Sequence, residues 1–285
     1  MKPAPLAYAR ASDLGHALAL WREAGPDARL IAGGQSLVAG LNLRLADVPA
    51  LIDISRIESL CGLGCEGGTL RIGALTTHAE IGRSEPVARH APLLTEAAPL
   101  IAHPAIRTRG TLGGSLAYAD PAAEWPACML ALDAVIVVQS ETGERRIPAA
   151  DFFLGLFETA LQPFEILVAV EIPVIAAGRR QAIRELARRS GDYAMAGLAA
   201  AGTPSDGGLR DVTLAYFGLG STAILAAGAM RILDQGGDLE DACAALDDDL
   251  DPADDLQASA TMKRHLAKVL LRRVVAALSP VMSTA

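Results

Sequence analysis

The chain has 285 residues, 51% apolar but only 4% aromatic, which is enough aliphatic material to fill one large domain or two to three small ones. A formal net charge of −8 excludes the broad basic face that nucleic-acid binding needs. Four scattered cysteines (Cys61, Cys65, Cys128 and Cys243) fit neither a disulfide framework nor an iron–sulfur ligand set, and Arg10, Asp13 and His16 interrupt any leader or spanning run after Met1-Lys2-Pro3-Ala4-Pro5, so a cytoplasmic location is expected.

In chain order, Leu14, Ala17, Leu18 and Trp21 recur at helical spacing, with Ser12 or Asp13 as N-cap and Gly25 as the stop. Short strands follow at Arg29 to Ala32, Leu51 to Ile54 and Thr69 to Gly73. Gly62-Leu63-Gly64-Cys65-Glu66-Gly67 matches the dinucleotide fingerprint by letter but runs into strand-like Thr69-Leu70-Arg71-Ile72, so it reads as a glycine-rich turn. Thr77 to Ala102 is predicted helical in two or three pieces, broken by Pro86, Pro92 and Pro99. A helix is expected from Glu124 to Leu132, a strand from Val135 to Gln139, a hairpin turn over Glu141 to Glu144, and a short helix capped by Asp151 that carries Phe152, Phe153, Leu156 and Phe157.

Ile166 to Ile172 is read as a further strand, and Pro173 with Ala176-Ala177-Gly178 marks a boundary. Strands at Gln181 to Ala187, Ala194 to Ala201 and Val212 to Phe217 come next, with a turn at Ser205-Asp206-Gly207-Gly208. The chain then becomes helical, and Leu266, Val269, Leu270, Val274 and Leu278 form the apolar stripe of the last helix. From Asp238 to Asp255 nine carboxylates occur without one Lys or Arg, read as a solvated helix pair and loop without chemistry.

Two stretches carry a binding signal. In Leu30-Ile31-Ala32-Gly33-Gly34-Gln35-Ser36-Leu37 an apolar strand runs into a double glycine. In the second, Gly110-Thr111-Leu112-Gly113-Gly114-Ser115 is followed by Asp120-Pro121 and Glu124. Glycine lets a backbone approach a phosphate without a side chain between them, and successive N–H groups in a turn make a concave anion site. Two such segments can hold one diphosphate, and the carboxylates beside the second suit a polyol.

Both segments resemble the flavin loops of the FAD-binding (medium) subunits of molybdenum hydroxylases, the group that includes bacterial carbon monoxide dehydrogenase and xanthine dehydrogenase components. There the first loop reads Ala-Gly-Gly-x-Ser, and the second reads Gly-Thr-Ile-Gly-Gly-Ser/Asn followed by Asp-Pro and an acidic residue. The resemblance covers nearly the whole chain. It implies an α+β fold: a two-subdomain PCMH-type FAD-binding domain over residues 1–175, with subdomains of about 1–60 and 61–175, followed by a C-terminal α+β domain over 176–285 whose antiparallel sheet and helices cover the flavin.

By the same resemblance, FAD is bound noncovalently by Ile31, Ala32, Gly33, Gly34, Gln35, Ser36 and Leu37 in the first loop and by Gly110, Thr111, Gly114 and Ser115 in the second. Glu124 stands where relatives have an acidic residue near the adenosine and ribityl region. Asp120 is a second candidate there, with an N-cap as its plain alternative. Ile101, Ala102 and Leu167 occupy flavin-contacting positions, with core packing as theirs. In Arg188-Arg189-Ser190-Gly191-Asp192-Tyr193-Ala194, Tyr193 would cover a ring face and Arg188 would offset charge. The cofactor supplies the redox chemistry, so no residue is assigned a catalytic role, and no His or Cys spacing suggests a metal.

The implied assembly has a large molybdenum-cofactor subunit and a small subunit with two [2Fe-2S] clusters, arranged as a dimer of heterotrimers, and NAD, a quinone or oxygen accepts the electrons. Trp125 departs from the family, where a smaller apolar residue stands, which bears on the adenine side of the pocket. Ala223-Ile224-Leu225 departs where many relatives have a proline.

Two other readings are open to the sequence. One is a self-contained FAD oxidoreductase of the same fold. The other is a nucleotide-binding protein using Gly218-Leu219-Gly220-Ser221-Thr222-Ala223, which follows a strand, is expected to open an apolar helix, and has acidic residues about 20 positions on.

Overall fold

The computed structural model describes residues 2–279. Near the N-terminus three parallel strands form a small sheet, Ala50–Asp53 in the middle with Ala7–Arg10 and Arg29–Ile31 on either side. Parallel neighbours need a crossover: the Leu37–Asn42 helix lies between Arg29–Ile31 and the middle strand, and the two outer strands are joined by the Leu14–Ala24 helix. Asp13 is the N-cap of Leu14–Ala24, accepting from the His16 backbone N–H at 2.9 Å, and Gly25 ends it at φ 88°. Ala17 and Leu18 bury one face of this helix against Ile52 and Ile54.

A five-stranded antiparallel sheet follows, in the order Leu63–Glu66, Thr69–Gly73, Ile166–Pro173, Val135–Ser140 and Gly143–Pro148. The glycine-rich turn expected over Gly62 to Gly67 is instead mostly a strand, with Leu63–Glu66 pairing with Thr69–Gly73. The turn itself is Gly67-Gly68, both at positive φ, where glycine carries no steric penalty. The proline-broken stretch after Thr77 forms three helices, His78–Arg83, Glu85–His90 and Pro92–Ala97. Pro86 and Pro92 lie in first turns, where no intrahelical N–H is lost.

The helix expected from Asp151 is shorter and begins earlier, at Ala149–Phe152. Phe153 enters a two-stranded hairpin, Phe153–Gly155 with Glu158–Thr159. Leu156 and Phe157 at its tip are exposed, and Phe157 has a left-handed φ of 55°. The apolar run there is a surface hairpin tip, not a buried helix face.

The C-terminal sheet is antiparallel: Arg180–Leu186, Ala196–Ser205, Gly208–Phe217 and Ile224–Leu225. Its strands are covered on both faces, and strand alternation sorts the side chains. Ala196, Leu198 and Ala200 face the Ala260–Leu278 helix in one core, while Ile183, Ala199, Ala215 and Phe217 point into the core that holds the Glu124–Ala131 helix. All eight residues of Glu124–Ala131 are buried, as expected of a helix enclosed between two sheets. Gly218 to Ala223 opens no helix. It leads into Ile224–Leu225, which pairs antiparallel with Gly208–Phe217, so the parallel strand–helix–strand unit that a dinucleotide fingerprint needs is absent there.

The acidic run forms the Leu239–Asp249 helix and a following loop. Its counterions come from the last helix, where Arg272, Lys268, Arg264 and Lys263 pair with Glu240, Asp247, Asp251 and Asp255. Three of these pairs, all but Lys263 with Asp255, are exposed and contribute little each. Asp249 is different: its carboxylate caps the Ala227–Asp234 helix by accepting from the Gly228 and Ala229 backbone N–H groups at 2.8 and 2.9 Å.

Candidate functional site: two glycine segments and a carboxyl cluster

The Arg29–Ile31 strand delivers Ala32 to Ser36 at its end, and the Leu37–Asn42 helix begins directly after. Gly34 is at φ 71°, and the Gln35 amide donates to the Gly33 carbonyl at 2.9 Å. A side chain at Gly33 would overlap the Arg109 carbonyl and touch the Gly110 Cα. The two glycine segments, far apart in sequence, therefore abut backbone to backbone.

The second segment is less a loop than the start of a helix. Thr111 is the N-cap of Leu112–Tyr118, its hydroxyl accepting from the Gly114 N–H at 3.2 Å, a contact of about 1 kcal/mol. It is stitched to the strand end before it: Gly113 N–H donates to Ala74 O at 2.8 Å, Leu112 N–H to Thr76 O at 3.0 Å, and His78 N–H to Gly110 O at 3.0 Å. Gly113 is small because a Cβ there would lie 2.6 Å from the Ala74 Cβ. It serves close helix packing, whereas Gly114 is exposed.

Sequence reasoning missed His78, which lies against this segment at Gly110, and Arg107, which holds the Ile101-Ala102 turn. His78 is buried, and its Nδ1 accepts from the indole Nε1–H of Trp125 at 2.9 Å. Trp125 thus braces the second segment from behind. Burial, with Arg107 nearby, lowers the His78 pKa to about 4, so the ring is neutral with its proton on Nε2. Arg107, in the Pro104–Arg107 turn of helix, donates through Nη1 to the carbonyls of Pro99, Ile101 and Ala102. Ile101 is buried in the core, and Ala102 sits beside it at φ 43°. Leu167 is buried on the Ile166–Pro173 strand at a register shift.

Asp120 makes an Asx turn, accepting from the Ala122 N–H at 2.9 Å, and does not cap the following helix, whose N-cap is Ala123. Pro121 O receives the Gly218 N–H at 2.8 Å, so the Gly218 turn braces this segment. Glu124, in the helix's first turn, is 8% exposed. Burial, with Glu185 and Asp120 as charged neighbours, raises its carboxyl to about 8. Burial raises Asp120 as well.

Tyr193 lies in the turn before the Ala196–Ser205 strand, an exposed residue with its hydroxyl toward Asp120. Desolvation of that hydroxyl and the neighbouring carboxylates push its phenol up to about 12. Gly191 in the same turn, at φ 84°, is pressed against Ala102 O and the His103 ring, which joins the Tyr193 turn to the Ile101-Ala102 turn. Arg188 is exposed. The structure thus brings together the first segment, Gly110 to Ser115, Asp120, Glu124, Ala102 and Tyr193. Leu167 and Ile101 are core residues, and Arg188 is exposed to solvent.

The arrangement presents abutting, side-chain-free backbone for an anion and buried carboxyl groups for hydroxyl donors. Glu185 Oε2 is shielded and has no hydrogen-bond partner, an acceptor to which the protein itself supplies no donor. These features fit a dinucleotide carrying a polyol. Among the described residues no group of three or more His, Cys, Asp or Glu could hold a metal ion, and no helix is long and apolar enough to cross a membrane.

Comparison with known proteins agrees. Residues 4–175 match the FAD binding domain in molybdopterin dehydrogenase, and residues 181–278 match the CO dehydrogenase flavoprotein C-terminal domain. The 6-hydroxypseudooxynicotine dehydrogenase complex subunit alpha of Paenarthrobacter nicotinovorans is 40% identical over 97% of this chain and 95% of its own. The carbon monoxide dehydrogenase medium chain of Hydrogenophaga pseudoflava is 37% identical over 96% of this chain and 97% of its own. A solved structure of carbon monoxide dehydrogenase from that organism superposes with a TM-score of 0.94, at 37% identity, covering 98% of each chain. The chain belongs to the FAD-binding medium-subunit family of the molybdenum hydroxylases.

Proposed function

We propose that this chain is the electron-transfer subunit of a molybdenum hydroxylase complex. It receives electrons from a small [2Fe-2S] subunit, while a large molybdenum-cofactor subunit oxidises the substrate, and it passes them to NAD, a quinone or oxygen. The assembly is a dimer of heterotrimers in the cytoplasm. The observation that carries the reading is the abutment of Gly33 on Arg109 and Gly110, which makes one anion cradle from two glycine segments.

In this reading residues 1–175 are the FAD-binding unit and 176–285 the unit that covers the flavin. The N–H groups of Ala32 to Leu37 and of Thr111 to Ser115, with the Ser36 and Ser115 hydroxyls, hold the diphosphate, and Ile31 fixes the strand that delivers the first segment. Glu124 and Asp120 take hydroxyl groups. Ile101, Ala102 and Leu167 face the ring from the core, Tyr193 covers it, and Arg188 offsets negative charge at the rim. Bound FAD supplies the conversion between one-electron and two-electron transfer. The protein's own residues bind it, orient it and exclude water.

The test is the visible absorption spectrum of the purified chain before and after acid precipitation. A flavin spectrum that moves to the supernatant as FAD supports noncovalent binding, and no flavin uptake on adding FAD sinks the reading. Co-purification with a molybdenum subunit and a [2Fe-2S] subunit tests the assembly. Substrate turnover by the isolated chain would replace the subunit reading with a self-contained oxidoreductase.

A further inference from the structure

Glu185 lies on the Arg180–Leu186 strand opposite Gly197. It is two residues from Ile183, so the two share a strand face, and Ile183 belongs to the core that contains the Glu124–Ala131 helix. Its Oε2 is the one shielded side-chain oxygen or nitrogen among the described residues without a hydrogen-bond partner. Native proteins rarely leave such an acceptor empty.

The groups around it do not answer it. Across the helix, Glu124 is more than nine-tenths buried and its carboxyl has no hydrogen bond to another side chain among the described residues. Glu185, Glu124 and Glu96 all act on the buried Cys128 thiol and raise its pKa, after burial itself. Asp120 adds to the negative potential at Glu124. From the Pro92–Ala97 helix, Glu96 is already engaged by Arg184 and by the Ile183 N–H at 3.2 Å. The adjacent cation, Arg184, is thereby turned to Glu96. Burial keeps both carboxyl groups toward the neutral form, Glu185 at about 7 and Glu124 at about 8.

Glu124, on a helix, and Glu185, on a strand, thus feel each other's charge, and neither carboxyl has a side-chain cation or side-chain donor among the described residues; Glu124 meets only its own backbone N–H. Neutral hydroxyl groups satisfy such a pair at least electrostatic cost. We propose that Glu185 is an FAD-binding residue contributed by the C-terminal domain, and that with Glu124 it forms a carboxyl pair that takes hydroxyl groups of the cofactor's polyol. The proposal rests on the flavin reading above. It adds a carboxyl acceptor to the Tyr193 and Arg188 contacts that the second domain makes in that reading.

The test uses the full-length chain stripped of cofactor, titrated with FAD and followed by flavin fluorescence, with apo-protein melting measured in parallel. Glu185→Leu removes the acceptor at similar volume, and Glu185→Gln keeps one. In Glu185→Leu, FAD affinity falls about tenfold, the worth of one hydrogen bond to an ionisable group, while apo melting rises, because a shielded unpaired carboxyl has been removed. Glu185→Gln restores most of the affinity.

Wild-type affinity in Glu185→Leu overturns the proposal. Loss of apo stability in that variant also overturns it, since the carboxyl would then be serving the fold. Should Glu185→Leu fail to fold, Glu185→Gln that binds FAD no better than Glu185→Ala has the same force. Failure of the wild-type chain to take up FAD sinks the flavin reading itself, an outcome distinct from selective loss in the variants.

Discussion

The Arg107 guanidinium lies 2.7 Å from the Ala102 carbonyl oxygen, and the same Nη1 also reaches the carbonyls of Ile101 at 2.9 Å and Pro99 at 3.2 Å. A nitrogen with two hydrogens is thus shared among three acceptors along one turn. That turn holds Ala102 at φ 43°, a conformation L residues avoid at a cost of about 1–3 kcal/mol unless the surroundings impose it. Gly191 of the C-terminal domain packs on the same Ala102 carbonyl, so Arg107 fixes the surface on which the Tyr193 turn rests.

Arg107→Ala should release both turns. FAD affinity is expected to fall about tenfold to a hundredfold, the scale of one or two charge-assisted hydrogen bonds. Arg107→Lys should recover little, since an ammonium lacks the planar fork. Guanidinium ion added at millimolar concentration should partly restore binding in Arg107→Ala, with flavin fluorescence as the measurement. Wild-type affinity in Arg107→Ala would show that the turn holds its shape unaided.

Gly33 and Gly40 separate the cradle from its helix. Gly33→Ala drives a methyl into the Arg109 carbonyl, so the two segments must part, and FAD binding should be lost. Gly40→Ala, in the Leu37–Asn42 helix with open space around it, should bind FAD normally and stabilise the protein by about 0.5–1 kcal/mol. FAD titration and thermal melting of the pair read this contrast.

Asp249→Ala should destabilise the C-terminal helices without weakening FAD binding. The carboxylate caps two N–H groups of the Ala227–Asp234 helix from another helix's end, worth about 1–3 kcal/mol together. Denaturant unfolding checks the loss, and an equal fall in FAD affinity would contradict the separation of this cap from the site.

Much of this was legible in the sequence because the signals were local. The glycine pairs, the proline breaks after Thr77, and the start and stop of the first helix at Asp13 and Gly25 each depend on a few adjacent residues, and the family resemblance supplied the order of the two segments. What was not legible depends on distant partners. Gly62 to Gly67 reads as a turn until Thr69–Gly73 pairs with it. Gly218 to Ala223 follows a strand as a fingerprint should, but its position is set by Pro121 and by the pairing of Ile224–Leu225 with Gly208–Phe217. The acidic run looks unpaired because its cations stand on a later helix. His78, Arg107 and Glu185 belong to no motif, and only the folded chain shows what each one faces.

His78 gives the apo protein an acid-sensitive step. In the unfolded chain its pKa is near 6.5 and in the fold about 4, so between these values the unfolded state binds more protons and stability falls as pH falls. Over the whole window this amounts to about 3 kcal/mol, all of it retained above pH ~6.5. Glu124 works in the opposite sense: its raised carboxyl contributes stability below its unfolded value and loses it as pH rises toward 8. His78→Asn isolates the first effect, because the Asn oxygen can take the place of Nδ1 as acceptor for the Trp125 indole without titrating. The melting temperature of His78→Asn should therefore fall less than that of the wild type between about pH 6.5 and 4, with the two curves parallel above that range. Curves that stay parallel down to the acid limit would mean that His78 takes up its proton in the fold as readily as in the unfolded chain.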